Sequence, residues 1–250
     1  MTKKIAVAGK GGTGKTTFTA LLIRELVKQK KGAILAVDAD PNSNLNEALG
    51  IEVKETIADI LDEVKGSASV PQGMPKDVFV EYRLNQVLQE TPDVDLLVMG
   101  VPQGGGCYCY PNDLMRKYLE GLRENYDFVV MDNEAGMEHL SRKVVTDIDA
   151  LLVISDSSAR GVRSAGRVFD IVKSVGIKVK QIGLVITKTM EDGIAQLEEE
   201  IKNTGLDLIG TIPYDEAVAK QDLAGKPLFD LADDAKSVQA VAAIVKKIGL

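Results

Sequence analysis

The sequence predicts a doubly wound α/β fold with a mainly parallel sheet of about seven strands. Short apolar runs recur along the chain, and none of them alternates polar with apolar residues. Such runs are typical of strands that are buried on both faces. Segments with helical spacing separate the runs, and this alternation requires right-handed crossovers that cover both faces of the sheet. The predicted strands are residues 5–8, 34–37, 96–99, 128–131, 151–154, 184–186 and 208–209.

The helices are predicted from apolar residues that fall on one face of each segment. In residues 16–30, for example, Phe18, Leu21, Leu22 and Leu26 share a stripe. Residues 66–75 form a turn-rich connection, after which the strand–helix alternation resumes. We therefore expect a single domain over residues 1–250. The predicted helices are residues 16–30, 56–64, 163–175, 194–203 and 235–248.

Composition excludes several classes of protein. The 250 residues are 45% hydrophobic and 27% charged, which is ordinary for a globular chain and atypical of a disordered or membrane-spanning one. The 30 Lys and Arg against 37 Asp and Glu give a net charge of −7. Because nucleic-acid binding depends mainly on a basic surface, we expect no nucleic-acid partner.

The cysteine count and the lengths of the apolar runs indicate the cellular compartment in which the protein is expected. Two cysteines cannot build the disulfide framework of a small secreted protein. The first apolar run stops at Gly9, which makes it too short for a secretion signal, and uninterrupted apolar runs of membrane-spanning length are absent from the sequence. We therefore expect a cytoplasmic protein without a membrane partner.

A phosphate-binding loop follows the first predicted strand. Residues 9–17, GKGGTGKTT, satisfy the pattern G-x-x-x-x-G-K-[ST] between a strand and a helix. Glycines let successive backbone N–H groups surround phosphate oxygens, while Lys15 reaches the β and γ phosphates and the Thr16 hydroxyl ligates Mg²⁺. The loop residues predicted to bind ATP or ADP are Gly11, Gly12, Thr13, Gly14, Lys15, Thr16 and Thr17.

A second lysine, Lys10, lies inside this loop. The pattern resembles the deviant Walker A ATPases, the group that includes MinD, ParA and the nitrogenase iron protein. That resemblance implies a nucleotide-dependent homodimer in which Lys10 crosses the interface to the partner's phosphates.

Two acidic segments follow other strands. Asp38 and Asp40 come after the second strand, at the sheet edge where such folds bind ligands, and Asp132 ends the fourth. The resemblance implies that Asp38 acts on the Mg²⁺ shell, that Asp40 holds the attacking water, and that Asp132 holds Mg²⁺ through water. Asn133 and Glu134 stand where relatives mostly carry proline and a small residue, which disfavours the generic partitioning ATPases.

Two further segments are placed to flank a purine base. One follows the sixth strand and the other follows the seventh, and the choice of adenine over guanine depends on the resemblance alone. The predicted base-binding residues are Thr187, Lys188, Pro213, Tyr214 and Asp215.

Both cysteines lie in one glycine-rich loop after the third strand, as Cys107 and Cys109. Two thiolates fill half of a four-coordinate shell, so a dimer would bring four sulfurs to one soft metal ion. Zn²⁺, Ni²⁺, Cu⁺ and an iron–sulfur cluster all fit such ligands. Redox-active thiols or inert cysteines are the alternatives.

Four segments together resemble a narrower family, the CooC accessory ATPases of carbon monoxide dehydrogenase. They are GKGGTGKTT, DADPNSNL, CYCYP and DNEAGMEHLSR, in this order over nearly the whole chain. The resemblance implies that Lys10, Lys15 and Asp40 are catalytic in ATP hydrolysis. It also implies that the cysteine pairs of a dimer bind one Ni²⁺, which Zn²⁺ can replace, and that apo carbon monoxide dehydrogenase is the client.

Three other functions remain open. A spatial organiser of the MinD or ParA type would need a membrane helix or a basic surface, whereas residues 237–250 favour a core-packing helix. An electron carrier like the nitrogenase iron protein would need cysteines in separate segments. No residue distinguishes a maturation factor for acetyl-CoA synthase from one for carbon monoxide dehydrogenase.

Overall fold

A computed structural model describes residues 2–65, 71–101, 117–118, 120–121, 125–133, 147–190 and 193–250. Within these residues the strands form one seven-stranded, all-parallel sheet in the order β3-β2-β4-β1-β5-β6-β7, which confirms the predicted fold class. Every apolar run named above lies in or at the end of a strand. The strands are β1 Lys3–Gly9, β2 Ile34–Ala39, β3 Asp95–Val98, β4 Phe128–Asn133, β5 Asp147–Asp156, β6 Lys178–Thr189 and β7 Leu208–Pro213.

The five predicted helices are confirmed, and the structure adds three. The described helices are α1 Lys15–Lys28, α2 Leu45–Leu49, α3 Ile57–Lys65, α4 Lys76–Val87, α5 Ala159–Val175, α6 Glu198–Thr204, α7 Glu216–Leu223 and α8 Lys236–Lys247, with 3-10 turns at Ala195–Leu197 and Leu228–Asp230. The additional helices are α2, α4 and α7. The first has five residues and the last buries none of its side chains, so neither carries a detectable apolar stripe.

The sheet separates two apolar cores, which explains the uninterrupted apolar strands. In β1, Ile5 and Val7 pack on the face covered by α1 and α8, whereas Ala6 and Ala8 pack on the face covered by α3, α4 and α5. Both sets are fully buried. Within the described ranges, the helices are all too short or too polar to cross a bilayer. Of the predicted connection at 66–75, residues 66–70 lie outside the described part, and 71–75 lead into α4 without regular structure.

Strand register brings the predicted phosphate residues to one edge. Val7 pairs with Asp132 across β1 and β4, and Asp38 pairs with the same aspartate across β2 and β4. At the end of β1, Gly9 passes so close to the next strand that a Cβ atom there would lie 2.2 Å from the carbonyl oxygen of Ile154. Only glycine fits this position, so the loop begins where β1 touches β5.

We expect Gly9→Ala to lower the free energy of unfolding by about 3 kcal/mol, because the added methyl group meets backbone that cannot move aside. Gly176→Ala is the matched control, since that glycine also has positive φ (71°) but has open space around it. In the control the free energy of unfolding should fall by only about 1 kcal/mol, because alanine disfavours the left-handed conformation but meets no other atom there. Urea unfolding measures both, and equal losses would contradict the close approach at Gly9.

Candidate functional site

A cavity of about 1070 Å³ lies at the carboxyl edge of the sheet. This volume is at the upper end of the range that small-molecule and cofactor sites occupy. Its lining includes six of the seven predicted loop residues, together with Asp40 and all five predicted base-binding residues. The seventh loop residue, Thr13, is buried behind the loop, and Lys10 is exposed outside the cavity lining.

Two glycines give the loop its shape. Gly12 and Gly14 have φ of 77° and 86°, in the left-handed region that other residues rarely adopt. Gly14 is also the N-cap of α1 and has no side chain to accept the first N–H groups of the helix. Those N–H groups and the positive end of the helix therefore face the cavity, where an anion would bind. Lys15, 6% exposed, begins the helix.

The end of β6 supports the backbone of the loop. The Thr187 hydroxyl lies 2.6 Å from the Thr13 carbonyl oxygen, and Lys188 Nζ donates to the Gly12 carbonyl oxygen at 2.9 Å. In a trans peptide the C=O and N–H groups point in opposite directions. Because the Thr187 hydroxyl holds the Thr13 carbonyl oxygen, the Gly14 N–H of the same peptide points away from Thr187.

Two buried carboxylates lie below the loop. Asp132, 1% exposed, accepts a hydrogen bond from the Thr16 hydroxyl at 2.6 Å. Asp38 is fully buried and accepts from the backbone N–H groups of Leu45 at 2.9 Å and Asp40 at 3.1 Å. Burial raises the pKa of Asp38 to about 7 and that of Asp132 to about 6, and the negative charge of Asp132 adds to the shift of Asp38.

These oxygens fit a magnesium ion. A hydroxyl and carboxylates are hard ligands, and a nearby cation would offset the cost of two buried charges. Mg²⁺ commonly takes one or two carboxylates and completes its shell with water and substrate phosphates. In the described part of the chain, no cluster of three His, Cys, Asp or Glu side chains surrounds a common point. The remaining ligands would therefore come from the nucleotide and from water.

Asp40 lies at the edge of the cavity with a defined orientation. Its Oδ1 accepts from both the backbone N–H and the side-chain amide of Asn42, each at 2.9 Å. Among the described residues, Oδ2 has no hydrogen-bond partner, and Asp40 is half-buried. One carboxylate oxygen is therefore held in place while the other remains available to the cavity.

The predicted base-binding residues divide into two groups. Thr187 and Lys188 bond to the loop backbone, and Asp215 accepts from the Ala217 N–H and from the N–H and hydroxyl of Ser237. Although burial opposes it, these bonds lower the pKa of Asp215. That side chain caps α7 and orients the start of α8, while Pro213 and Tyr214 present surface to the cavity.

Sequence reasoning missed part of the cavity wall. Val218, Ala219 and Asp222 of α7 and residues 225–228 also line it. The available signal was Asp215 at an N-cap position, which predicts a helix over the residues that follow. Cys107, Cys109 and Glu134 lie outside the described residues.

Comparison with known proteins agrees with this geometry. A family model described as the CobQ/CobB/MinD/ParA nucleotide binding domain matches residues 4–228. An uncharacterised ATP-binding protein of Methanocaldococcus jannaschii is 43% identical over 98% of this chain and 97% of its own. The carbon monoxide dehydrogenase accessory protein CooC of Rhodospirillum rubrum is 29% identical over 98% and 97%.

Solved structures show the same fold. The cell division ATPase MinD of Pyrococcus furiosus superimposes with a TM-score of 0.73 at 22% identity, covering 99% of this chain and 98% of its own. MinD of Pyrococcus horikoshii in complex with Mg-ADP gives 0.74 at 21% identity, covering 100% and 96%.

The raised pKa of Asp38 predicts how stability depends on pH. A carboxyl group whose pKa is higher in the folded state stabilises the fold below its unfolded pKa, near 4, and loses that contribution as pH rises through about 7. We expect Asp38→Asn, without nucleotide or magnesium, to melt a few degrees above the wild type at pH 8 and by a clearly smaller margin at pH 5. A change of 1 kcal/mol corresponds to roughly 2–4 °C in a chain of this size.

Asp93→Asn, an exposed carboxyl on another loop, is the control and should follow the wild type at every pH. Calorimetry across pH 5–8 measures the three proteins. If the melting temperatures of wild type and Asp38→Asn change with pH in parallel, ionisation of Asp38 does not cost the folded state free energy.

Proposed function

Because this chain belongs to the CobQ/CobB/MinD/ParA family of nucleotide-binding proteins, we propose that it is a Mg²⁺-dependent ATPase that acts as a homodimer and assists nickel insertion into carbon monoxide dehydrogenase. One observation carries the ATPase part. The Thr16 hydroxyl and the buried Asp132 carboxylate are in contact directly beneath the phosphate loop, where a metal–nucleotide complex needs both.

Hydrolysis follows from positioning and charge. The loop N–H groups and Lys15 bind the β and γ phosphates. A Mg²⁺ ion held by Thr16 and Asp132 would supply further positive charge to the phosphate oxygens. The available oxygen of Asp40 orients a water toward the γ phosphorus. The water oxygen bonds to that phosphorus as the bond to the bridging oxygen breaks, which yields ADP and inorganic phosphate.

The exposure of Lys10 supports the dimeric form. Lys15 occupies the loop's own phosphate position, whereas Lys10 extends outside the cavity lining. A second copy facing the loop would receive this ammonium group beside its own phosphates. The charge would then stabilise the transition state only in the dimer, as an arginine finger does when it is supplied by a partner protein.

Lys10→Ala and Asp40→Asn should each reduce ATP turnover by about 100-fold or more, because each removes a group that acts on the transferring phosphoryl group. Both variants should keep nucleotide affinity within a few-fold, since neither removes the loop or Lys15. Lys246→Ala, an exposed lysine of the last helix, is the matched control. Phosphate release measures turnover, and normal activity in Lys10→Ala would refute a role across the dimer.

The nickel part depends on two facts of different kinds. The chain has Cys107 and Cys109 two positions apart, and it matches the R. rubrum CooC protein over nearly its full length. Two thiolates per chain supply four soft ligands per dimer, which suits Ni²⁺ or Zn²⁺. If nucleotide controls dimerisation, it also controls whether the four sulfurs meet, so hydrolysis would release the ion to the apo-enzyme.

Equilibrium dialysis of nickel tests this part, with ATP, ADP or no nucleotide. We expect one ion per two chains, tighter binding in the ATP state than in the ADP state, and no binding by the double variant Cys107→Ser/Cys109→Ser. The double variant should still bind ATP, which separates loss of metal from loss of fold. Equal nickel affinity with ATP and ADP would contradict the release step. If no nickel binding depends on the two cysteines in any nucleotide state, the nickel function is refuted while the ATPase proposal remains intact.

A further inference from the structure

One wall of the cavity is formed by a segment without regular pairing to the sheet. Residues 224–235, here called the strap, connect α7 to α8 and contain one short 3-10 turn, Leu228–Asp230. The first half of the strap, residues 225–228, lines the cavity. Backbone bonds join residues 225 and 226 to the end of α7, and beyond them the strap depends on side-chain contacts from other elements.

Arg24 of α1 supplies much of that positioning. Its Nε donates to the Phe229 carbonyl oxygen at 3.0 Å, and its Nη2 lies 2.7 Å from both the Leu231 carbonyl oxygen and Asp233 Oδ1. The Arg24 side chain is only 12% exposed, whereas that of Asp233 is 61% exposed. A planar guanidinium can bond to two nearby carbonyl groups at once, which a lysine ammonium cannot do with the same geometry.

The cavity half of the strap has its own contacts. The Pro227 carbonyl oxygen accepts from Gln221 Nε2 at 3.1 Å, and the Pro227 ring lies against Gly50, where a Cβ atom would be 2.7 Å from Pro227 Cγ. Leu228 is 4% exposed in the core beside α1. Pro227 thus joins α7 to α2, and Arg24 binds the strap immediately after it.

The position of Arg24 along α1 indicates which part of a nucleotide this wall faces. Arg24 lies nine residues after Lys15, which is about 14 Å along the helix axis at 1.5 Å per residue. Phe18 and Leu21, between the two, line the cavity with apolar surface. The carbonyl groups that Arg24 binds therefore lie far from Lys15 along α1, and the wall at 225–228 shares the cavity with apolar Phe18 and Leu21, against which an apolar base and its ribose would fit.

We propose that Arg24 is a positioning residue for the base end of the nucleotide: by anchoring the strap to α1, it keeps the wall at 225–228 in place without touching the phosphates. This inference rests on the proposed nucleotide binding. It separates two parts of the site, since the phosphate loop is supported by β6 and the base wall by α1.

The test compares two ligands that share only the phosphate end. ADP and inorganic pyrophosphate, each with Mg²⁺, are titrated by calorimetry into wild type, Arg24→Gln, Arg24→Lys and Asp233→Asn. We expect the dissociation constant of ADP to rise about tenfold in Arg24→Gln, and that of pyrophosphate to stay within about twofold. Arg24→Lys should lie between the two, and Asp233→Asn should change little because both carbonyl bonds remain.

Equal weakening of ADP and pyrophosphate in the Arg24 variants would show a general effect on the fold and overturn the inference, as would unchanged ADP binding. If Arg24→Gln does not fold, Arg24→Lys gives the same comparison. A wild type that binds neither ligand would instead refute the proposed nucleotide binding, which is a separate result.

Discussion

The structure of this site depends on two aspartates buried side by side at the ends of neighbouring strands. Asp38 and Asp132 are in register across β2 and β4, and both are essentially inaccessible to solvent. Ionised carboxylates in such a place cost free energy unless hydrogen bonds or a cation compensate. The raised pKa of each group expresses that cost. The surrounding contacts, from the Thr16 hydroxyl to the N–H of Leu45, offset part of it and so connect the loop, α2 and the sheet.

The same two groups explain why a metal–nucleotide complex suits this edge. A divalent cation bound with phosphates would add positive charge to that of Lys15, which already acts to lower the pKa of Asp132. Asp38 also accepts from the backbone of Asp40, so the residue proposed to orient water is linked directly to the buried pair. In the proposed ATPase, binding of the cation and positioning of the water would therefore be coupled through one short segment.

Support for the cavity comes from opposite directions. On the phosphate side, Thr187 and Lys188 at the end of β6 bond to successive loop carbonyls. On the far side, Arg24 binds the strap and Asp215 joins the starts of α7 and α8. Residues that the sequence placed around a base thus include several whose bonds support the backbone. All five residues line the cavity, and their contact with a base stays a prediction. Which of them support the backbone depended on the groups that each side chain meets in the folded chain.

Local sequence patterns were sufficient to predict the sheet, the phosphate loop and five of the helices. Buried parallel strands require continuous apolar runs, and a phosphate loop requires glycines at fixed spacing, so both are visible in the sequence itself. The helices α2, α4 and α7 were missed because their apolar residues give too weak a helical periodicity. In α7, for instance, no side chain is buried, and its N-terminus is capped by Asp215.

The sequence by itself determined the fold class and the motif of the phosphate loop, because the apolar runs and the glycine spacing involve residues that are close along the chain. Only the tertiary structure decided that the Asp38 and Asp132 carboxylates are neighbours, that Thr187 supports the loop, and that Arg24 anchors the strap more than 200 residues away. Such contacts depend on strand order and helix packing. Strand register and burial depend on the whole chain. They determine which groups each side chain contacts and in which direction its pKa shifts.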